Sequence, residues 1–393
     1  MLQPIAAGFI AAISGFATSF ALVIAGLQAV GATQEQSSSG LLTLCLASGI
    51  LTVVLSAAYR QPISIVWSTP GAAVLVAAAS GGTSFSTAVG AFIVSGVLIV
   101  VCGLWPALGR AISRIPKPVA SAMLAGILLP ICLAPVAAVA EFPLLAGPIV
   151  LVWLILLRVA PRWAVPAAML VATIVIVASA GTDWLPRASL APALVFVAPE
   201  FDPFVMVSLG LPLFIVTMAG QNVPGFVVMS SFGYPAPSRA IFLSTGVAST
   251  VGAFFGGHAV NLAAITAAIA ASPEAHPDRS RRWIAAVVAG SVFVAIGLAA
   301  GVATALVSES PPILIIAVAG LAVLGALVSS IASALEEPDH RMAAIATFLV
   351  TASGITALGI GSAFWGLVAG ALFMLWLRAR PVGRGLVETA PPQ

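Results

Sequence analysis

Apolar residues run along this chain in stretches of about 17 to 25 positions, the length that crosses a bilayer as an α-helix, and short polar connections separate them. Apolar and polar positions do not alternate within the stretches, so the pattern is that of helices and not of barrel strands. Fourteen spans can be drawn, at 4–28, 38–58, 63–80, 86–108, 118–139, 143–158, 163–181, 204–224, 238–255, 258–272, 282–306, 311–333, 342–360 and 362–378. The expected fold is an all-α integral membrane protein whose short loops hold the helices in one bundle.

The third span breaks the pattern. It opens with Ile63, Ser64, Ile65, Val66 and Trp67, β-branched and aromatic positions that suit a short extended segment. Ser68, Thr69 and Pro70 then form a helix-start signal, because a Ser or Thr oxygen accepts from the first free amides and proline fits the first turn. The apolar helix that follows, Gly71 to Ser80, is only about 15 to 18 Å long, roughly half a bilayer. A strand followed by half a helix places a helix N-terminus near the membrane midplane, where transporters build binding sites.

The same layout returns in GGHAVNLAAITAAIAAS, Gly256 to Ser272. Gly256 and Gly257 free the backbone there, and Asn261 is the expected cap. The broken segments stand third and tenth, an odd number of spans apart, so the two halves insert in opposite orientations. The chain therefore reads as two inverted repeats of seven spans, with half-helices at segments 3 and 10 whose N-termini face each other.

Composition agrees: 61% of the 393 residues are hydrophobic and 7% charged, against about 25% charged in soluble domains. With both termini in the cytoplasm, every basic residue except Arg187 falls in an even-numbered connection, in the C-terminal tail or at the span end that adjoins one of them. That includes Arg60, Arg110, Arg114, Lys117, Arg380 and Arg384, as positive charge on the cytoplasmic side requires. The N-terminus has no basic region ahead of its long apolar run, so the first helix is expected to be retained. Cys45, Cys102 and Cys132 lie in apolar spans at no metal or disulfide spacing and read as small core residues.

Two half-helix N-termini facing one cavity make an anion site without Arg or Lys, and no Arg or Lys lies in the interior of a predicted span, away from its ends. Ser68 and Thr69 on segment 3 and Asn261 on segment 10 are the candidates; the plainer alternative is that they only cap short helices. His258, the one histidine at membrane depth, either carries a coupling proton and bonds the substrate or holds the backbone break in place. Gln221 and Asn222, beside Pro224 and Gly225, either contact substrate or satisfy carbonyls that the proline frees. On the first span, Thr18, Ser19 and Gln28 are weaker cavity candidates, and Phe16, Phe20, Trp67, Phe254 and Phe255 are available as walls for a ring. Acidic residues such as Asp183 and Glu309 fall in connections; Glu141 and Asp202 come nearest to a proton path. No Ser/His/Asp set, metal-spaced cluster or phosphate-binding glycine loop is present, which excludes hydrolase and ATP-driven pump readings.

GFIAAISGFATSFALVIAGLQAVGATQEQSSSGLLTLCLASGI, YRQPISIVWSTPGAAVL, MAGQNVPGF and GGHAVNLAAITAAI together resemble the bacterial benzoate–proton symporter family, BenE, over nearly the whole chain. The resemblance implies the seven-plus-seven inverted-repeat fold of uracil and sulfate permeases. It implies a core domain at 1–110 and 201–308, a gate domain at 111–200 and 309–380, and a cytoplasmic tail at 381–393. It further implies a bacterial inner-membrane symporter importing benzoate or a related aromatic carboxylate by alternating access. It implies the proton as the coupling ion with no other cofactor, no nucleic-acid partner, and a gate domain that could hold two copies together as a homodimer. Its site residues carry over to Ser68, Thr69, Gln221, Asn222, His258 and Asn261. Nucleobase permeases carry glutamates on segments 8 and 10, and this chain has amides there, which suits an anionic substrate. An inorganic-anion or dicarboxylate permease, an anion channel and a membrane-embedded enzyme are the alternatives.

Overall fold

The computed structural model describes residues 2–78, 84–105, 116–180, 193–308 and 311–378. The first span is a pair of helices, α1 (Leu2–Ala17) and α2 (Phe20–Ala29), and α3 (Gln34–Tyr59) is the second. Strand β1 (Ile65–Trp67) leads into α4 (Thr69–Ala77), and α5 (Phe85–Leu104), α6 (Lys117–Glu141), α7 (Pro143–Val159) and α8 (Pro161–Ala180) complete the first half. The second half starts with α9 (Pro203–Ser231) and α10 (Ser238–Ala253), after which strand β2 (Val260–Leu262) leads into α11 (Ile265–Ala271). There follow α12 (Trp283–Gly297), α13 (Ala300–Ser308), α14 (Pro312–Leu335), α15 (Arg341–Ala352), strands β3 (Thr356–Ala357) and β4 (Ile360–Gly361), and α16 (Ser362–Arg378).

The elements follow the predicted order of fourteen segments, and among the described residues seven helices are long and apolar enough to cross a membrane. Several boundaries differ. The first span breaks at Thr18 and Ser19, whose hydroxyls bond back to Ser14 O (2.8 Å) and Gly15 O (2.9 Å) in the last turn of α1, the local bonding by which Ser and Thr bend helices. The eighth span is not interrupted at Pro224: a π-helical turn over Met218–Asn222 precedes the proline, and the helix continues to Ser231. The helix of the thirteenth span, α15, ends at Ala352, and the predicted span runs on into the β3–β4 hairpin, whose central residues Leu358 and Gly359 both have positive φ, as a tight hairpin turn demands. Ser80, Arg110, Arg114, Asp183, Arg187, Glu309, Arg380, Arg384 and the tail from 381 lie outside the described residues.

Packing separates the helices into two sets. α6 packs on α14 and α15, α15 on α16, and α7 on α8; apart from these, α5 packs on α10, and α1 and α3 pack on α12. The halves are related by an internal two-fold axis that the backbone makes visible. β1 and β2 pair antiparallel, Ile65 opposite Leu262, Val66 opposite Asn261 and Trp67 opposite Val260. Around this ribbon, α3 meets α12 at glycines: a Cβ on Gly49 would stand 2.5 Å from Gly290 O, and one on Gly290 would stand 2.7 Å from Gly49 O. The equivalent crossing of α10 with α5 brings Gly246 against Gly96 and Val100. Small residues let these backbones touch, which is how helices associate in lipid.

Candidate functional site

Three residues after each of those glycines on α3 and α10 is a hydroxyl that holds a strand. Thr52 Oγ1 donates to Ile65 O (2.9 Å) and accepts from Ile65 N (2.8 Å), while Ser249 Oγ accepts from Val260 N (2.9 Å). Ser56 adds a bond to Ile63 O (2.8 Å). Non-helical backbone inside a membrane needs every polar group satisfied by protein, and these hydroxyls do that where no helix ladder exists. Sequence reasoning missed them; the signal was the repeated Gly-x-x-Thr/Ser, Gly49 to Thr52 and Gly246 to Ser249.

Ser68 joins the two halves. Its Oγ caps α4 by accepting from Gly71 N (3.0 Å), and it also accepts from Thr217 Oγ1 of α9 (2.9 Å). Its backbone N–H donates to Ala259 O (2.9 Å), and its carbonyl faces His258 Nε2 at 2.9 Å. His258 and Ser68 are both fully buried. The other imidazole nitrogen, Nδ1, has no protein partner among the described residues, and Phe92 packs against the ring edge-on.

The segment-10 cap is not where the sequence placed it. Asn261 lies in β2, because pairing with Val66 draws its backbone into the ladder, and α11 starts only at Ile265, with Ala264 at the cap position and no side-chain cap bond. Asn261 is fully buried; its Nδ2 reaches Leu262 O (3.1 Å) and its Oδ1 lacks a partner. Asn222, also buried, accepts from Leu262 N through Oδ1 (3.0 Å), so it pins β2 to α9.

Between the first turns of α4 and α11 lies a cavity of about 60 Å³. Thr69 and Gln221 line it, as do Val66, Trp67, Phe293 and Thr266, with Gly15, Thr18 and Ser19 from the first span. Thus two of the six predicted residues, Thr69 and Gln221, face the cavity, and Ser68, Asn222, His258 and Asn261 stand behind it. No charged side chain lines it among the described residues. Ile265 is 80% exposed at the start of a half-helix, so open space reaches this depth. Of the aromatic residues, Trp67 is held by Ser19 (Nε1 to Oγ, 2.9 Å) and meets Phe293 edge-on with centroids 5.5 Å apart, while Phe16 stacks on Phe20 beside it. Phe254 and Phe255 pack with Phe196 instead. Asp202 caps α9, accepting from Phe204 N (2.7 Å) and Val205 N (3.2 Å).

Thr18 also borders a second, larger space of about 520 Å³, bounded by Gln3, Ala6 and Ser14 of α1, Pro161 and Val165 of α8, and Ile269 of α11. On the opposite side of the site, the gap between α4, α9 and the β3–β4 hairpin holds only about 70 Å³.

Residues 1–375 match the BenE family, described as benzoate membrane transport protein. Inner membrane protein YdcO of Escherichia coli (strain K12) is 43% identical over 93% of this chain and 93% of its own length. Benzoate membrane transport protein of Acinetobacter baylyi is 31% identical over 93% of each. Among solved structures, the transmembrane domain of a cyanobacterium bicarbonate transporter, BicA, superposes with TM-score 0.55 at 15% identity, covering 94% of this chain and 97% of that one. SLC26A9 superposes with TM-score 0.60 at 12% identity, covering 95% of this chain and 65% of that one. At such identities the likeness is one of fold, the inverted-repeat core-and-gate architecture.

Proposed function

Because the chain belongs to the BenE family of benzoate membrane transport proteins, multi-pass inner-membrane transporters and not enzymes, we propose that it imports benzoate or a related aromatic carboxylate together with a proton. One observation carries the substrate: the cavity combines uncharged polar groups with an aromatic wall. Thr69 and Gln221 have side chains without protein partners among the described residues, and Trp67 and Phe293 stand beside them. A carboxylate bonds the hydroxyl, the amide and the first turn of α4, whose dipole favours negative charge, while the ring lies on the aromatic side. Ser68, Asn222 and Asn261 act indirectly, by fixing the strands and caps that aim those groups.

Carrying a net charge inward costs about 2.3 kcal/mol per 100 mV of membrane potential, and a co-transported proton cancels that charge. His258 is the group that takes the proton in this reading, at Nδ1. Alternating access follows if the set containing α1–α5 and α9–α13 moves against the set containing α6–α8 and α14–α16. With the termini cytoplasmic, the space beside Gln3 and Pro161 opens inward, the narrow gap at the β3–β4 hairpin is the closed outer side, and two copies associate through the second set. The bicarbonate transporter on this fold supports a second reading, an inorganic-anion permease.

Uptake of labelled benzoate into proteoliposomes tests the proposal. An inward proton gradient should drive accumulation. Competition by sulfate or bicarbonate but not by aromatic acids supports the rival permease, and conductance without accumulation identifies a channel.

A further inference from the structure

Gly15 stands in the cavity wall for a reason different from that of the other close glycines. A Cβ on Gly26 would stand 2.7 Å from Ala72 O, and one on Gly40 would stand 2.6 Å from Gly256 O. At those positions the packing of backbones requires glycine. At Gly15 a Cβ would meet only Phe293 Cζ at 3.3 Å and Thr266 Oγ1 at 3.5 Å, both side-chain atoms that themselves border the cavity. Alanine fits there after a shift of a few tenths of an ångström and is the better helix former. What the absent methyl group leaves is room beside Phe293 and Thr266.

Thr266 faces the same room. It is 5% exposed and lines the cavity, and its hydroxyl makes no hydrogen bond to protein among the described residues, which leaves it free to bond a ligand or water there. We propose that Gly15 and Thr266 form a substituent pocket that admits aromatic carboxylates bearing one small hydrogen-bonding group on the ring, a hydroxyl above all. Gly15 supplies the space and Thr266 the hydrogen bond. This rests on the aromatic-acid reading and adds to it which acids are accepted.

The test is competition of labelled benzoate uptake by unlabelled benzoate, the three monohydroxybenzoates and the three methylbenzoates, in the wild type, Gly15→Ala and Thr266→Val. The readout is the ratio of apparent affinities within each protein. Filling the pocket in Gly15→Ala should weaken substituted acids relative to benzoate by roughly tenfold, as added bulk in a close-fitting pocket does. Removing the hydroxyl in Thr266→Val should lower the preference for the best hydroxybenzoate over its methyl analogue by roughly threefold to tenfold, one neutral hydrogen bond. Unchanged ratios in both variants overturn the pocket while leaving the benzoate reading standing. A wild type that accumulates no aromatic acid overturns both. Should Gly15→Ala fail to express, the hydroxyl-to-methyl ratio in Thr266→Val decides the matter alone.

Discussion

His258 Nε2 lies 2.9 Å from the backbone carbonyl oxygen of Ser68, and since a carbonyl only accepts, Nε2 carries the hydrogen. The free lone pair is therefore on Nδ1, which is buried without a partner. The bond ties the extended lead of β2 to the cap of α4, so one histidine both closes the backbone break and offers a single place for a proton.

Those two roles separate in His258→Gln, whose amide N–H keeps a donor for Ser68 O but takes no proton near neutral pH. The expected outcome is a folded protein in which benzoate uptake no longer responds to an imposed pH gradient. If gradient-driven accumulation persists at the wild-type level, the histidine serves the backbone only.

Thr69 and Ser68 are adjacent, yet they should respond to mutation in different ways. Thr69 faces the cavity, and losing a charge-assisted hydrogen bond costs about 1.5 to 3 kcal/mol, so Thr69→Val should weaken benzoate roughly tenfold or more with little change in apparent Tm. Ser68→Ala removes a cap and strands the Thr217 hydroxyl, a loss of about 1 to 2 kcal/mol in stability. Thermal stability with and without benzoate distinguishes them; equal loss of affinity in both would contradict the division between cavity and support.

Thr52 and Ser249 hold equivalent strands in the two halves. Thr52→Val leaves both Ile65 backbone groups buried without this partner, and Ser249→Ala does the same to Val260 N–H. Each should cost about 1 to 3 kcal/mol and lower the apparent Tm measured in detergent. A neutral result at either position would show that the strands are held by other means.

At the α3–α12 crossing, a methyl group at Gly49 or Gly290 would run into the opposing backbone, whereas Gly147 has nothing within 4 Å of the same position. Folded yield in the membrane should fall in Gly49→Ala and Gly290→Ala and hold in Gly147→Ala. Normal yield of all three would mean that the helices separate there without penalty.

The space beside α1 should be open to water from one membrane face. Ser14→Cys is expected to react with a membrane-impermeant thiol reagent applied from the cytoplasmic side, and benzoate should slow the reaction. Labelling only from the periplasmic side would reverse the assigned orientation.

The sequence by itself determined the number and order of segments, the breaks at 3 and 10 and the inverted relation of the halves. These are local properties: the length of an apolar run, a Ser-Thr-Pro start, a pair of glycines. It also marked Thr69, Gln221 and Trp67, because polar and aromatic residues beside a break have few places to go. Only the tertiary structure decided which polar groups face the cavity. Asn261 and Asn222 carry the same amide as Gln221, but the β1–β2 register puts Asn261 in the ladder and Asn222 spends its oxygen on Leu262 N. Partners such as His258 and Ser68 are 190 residues apart in the chain, and Thr266 joins the site only because α11 begins later than its apparent cap suggested. Helix and strand periodicities extend over a few residues, so no local pattern could show how strands and helices from opposite halves would be set against one another.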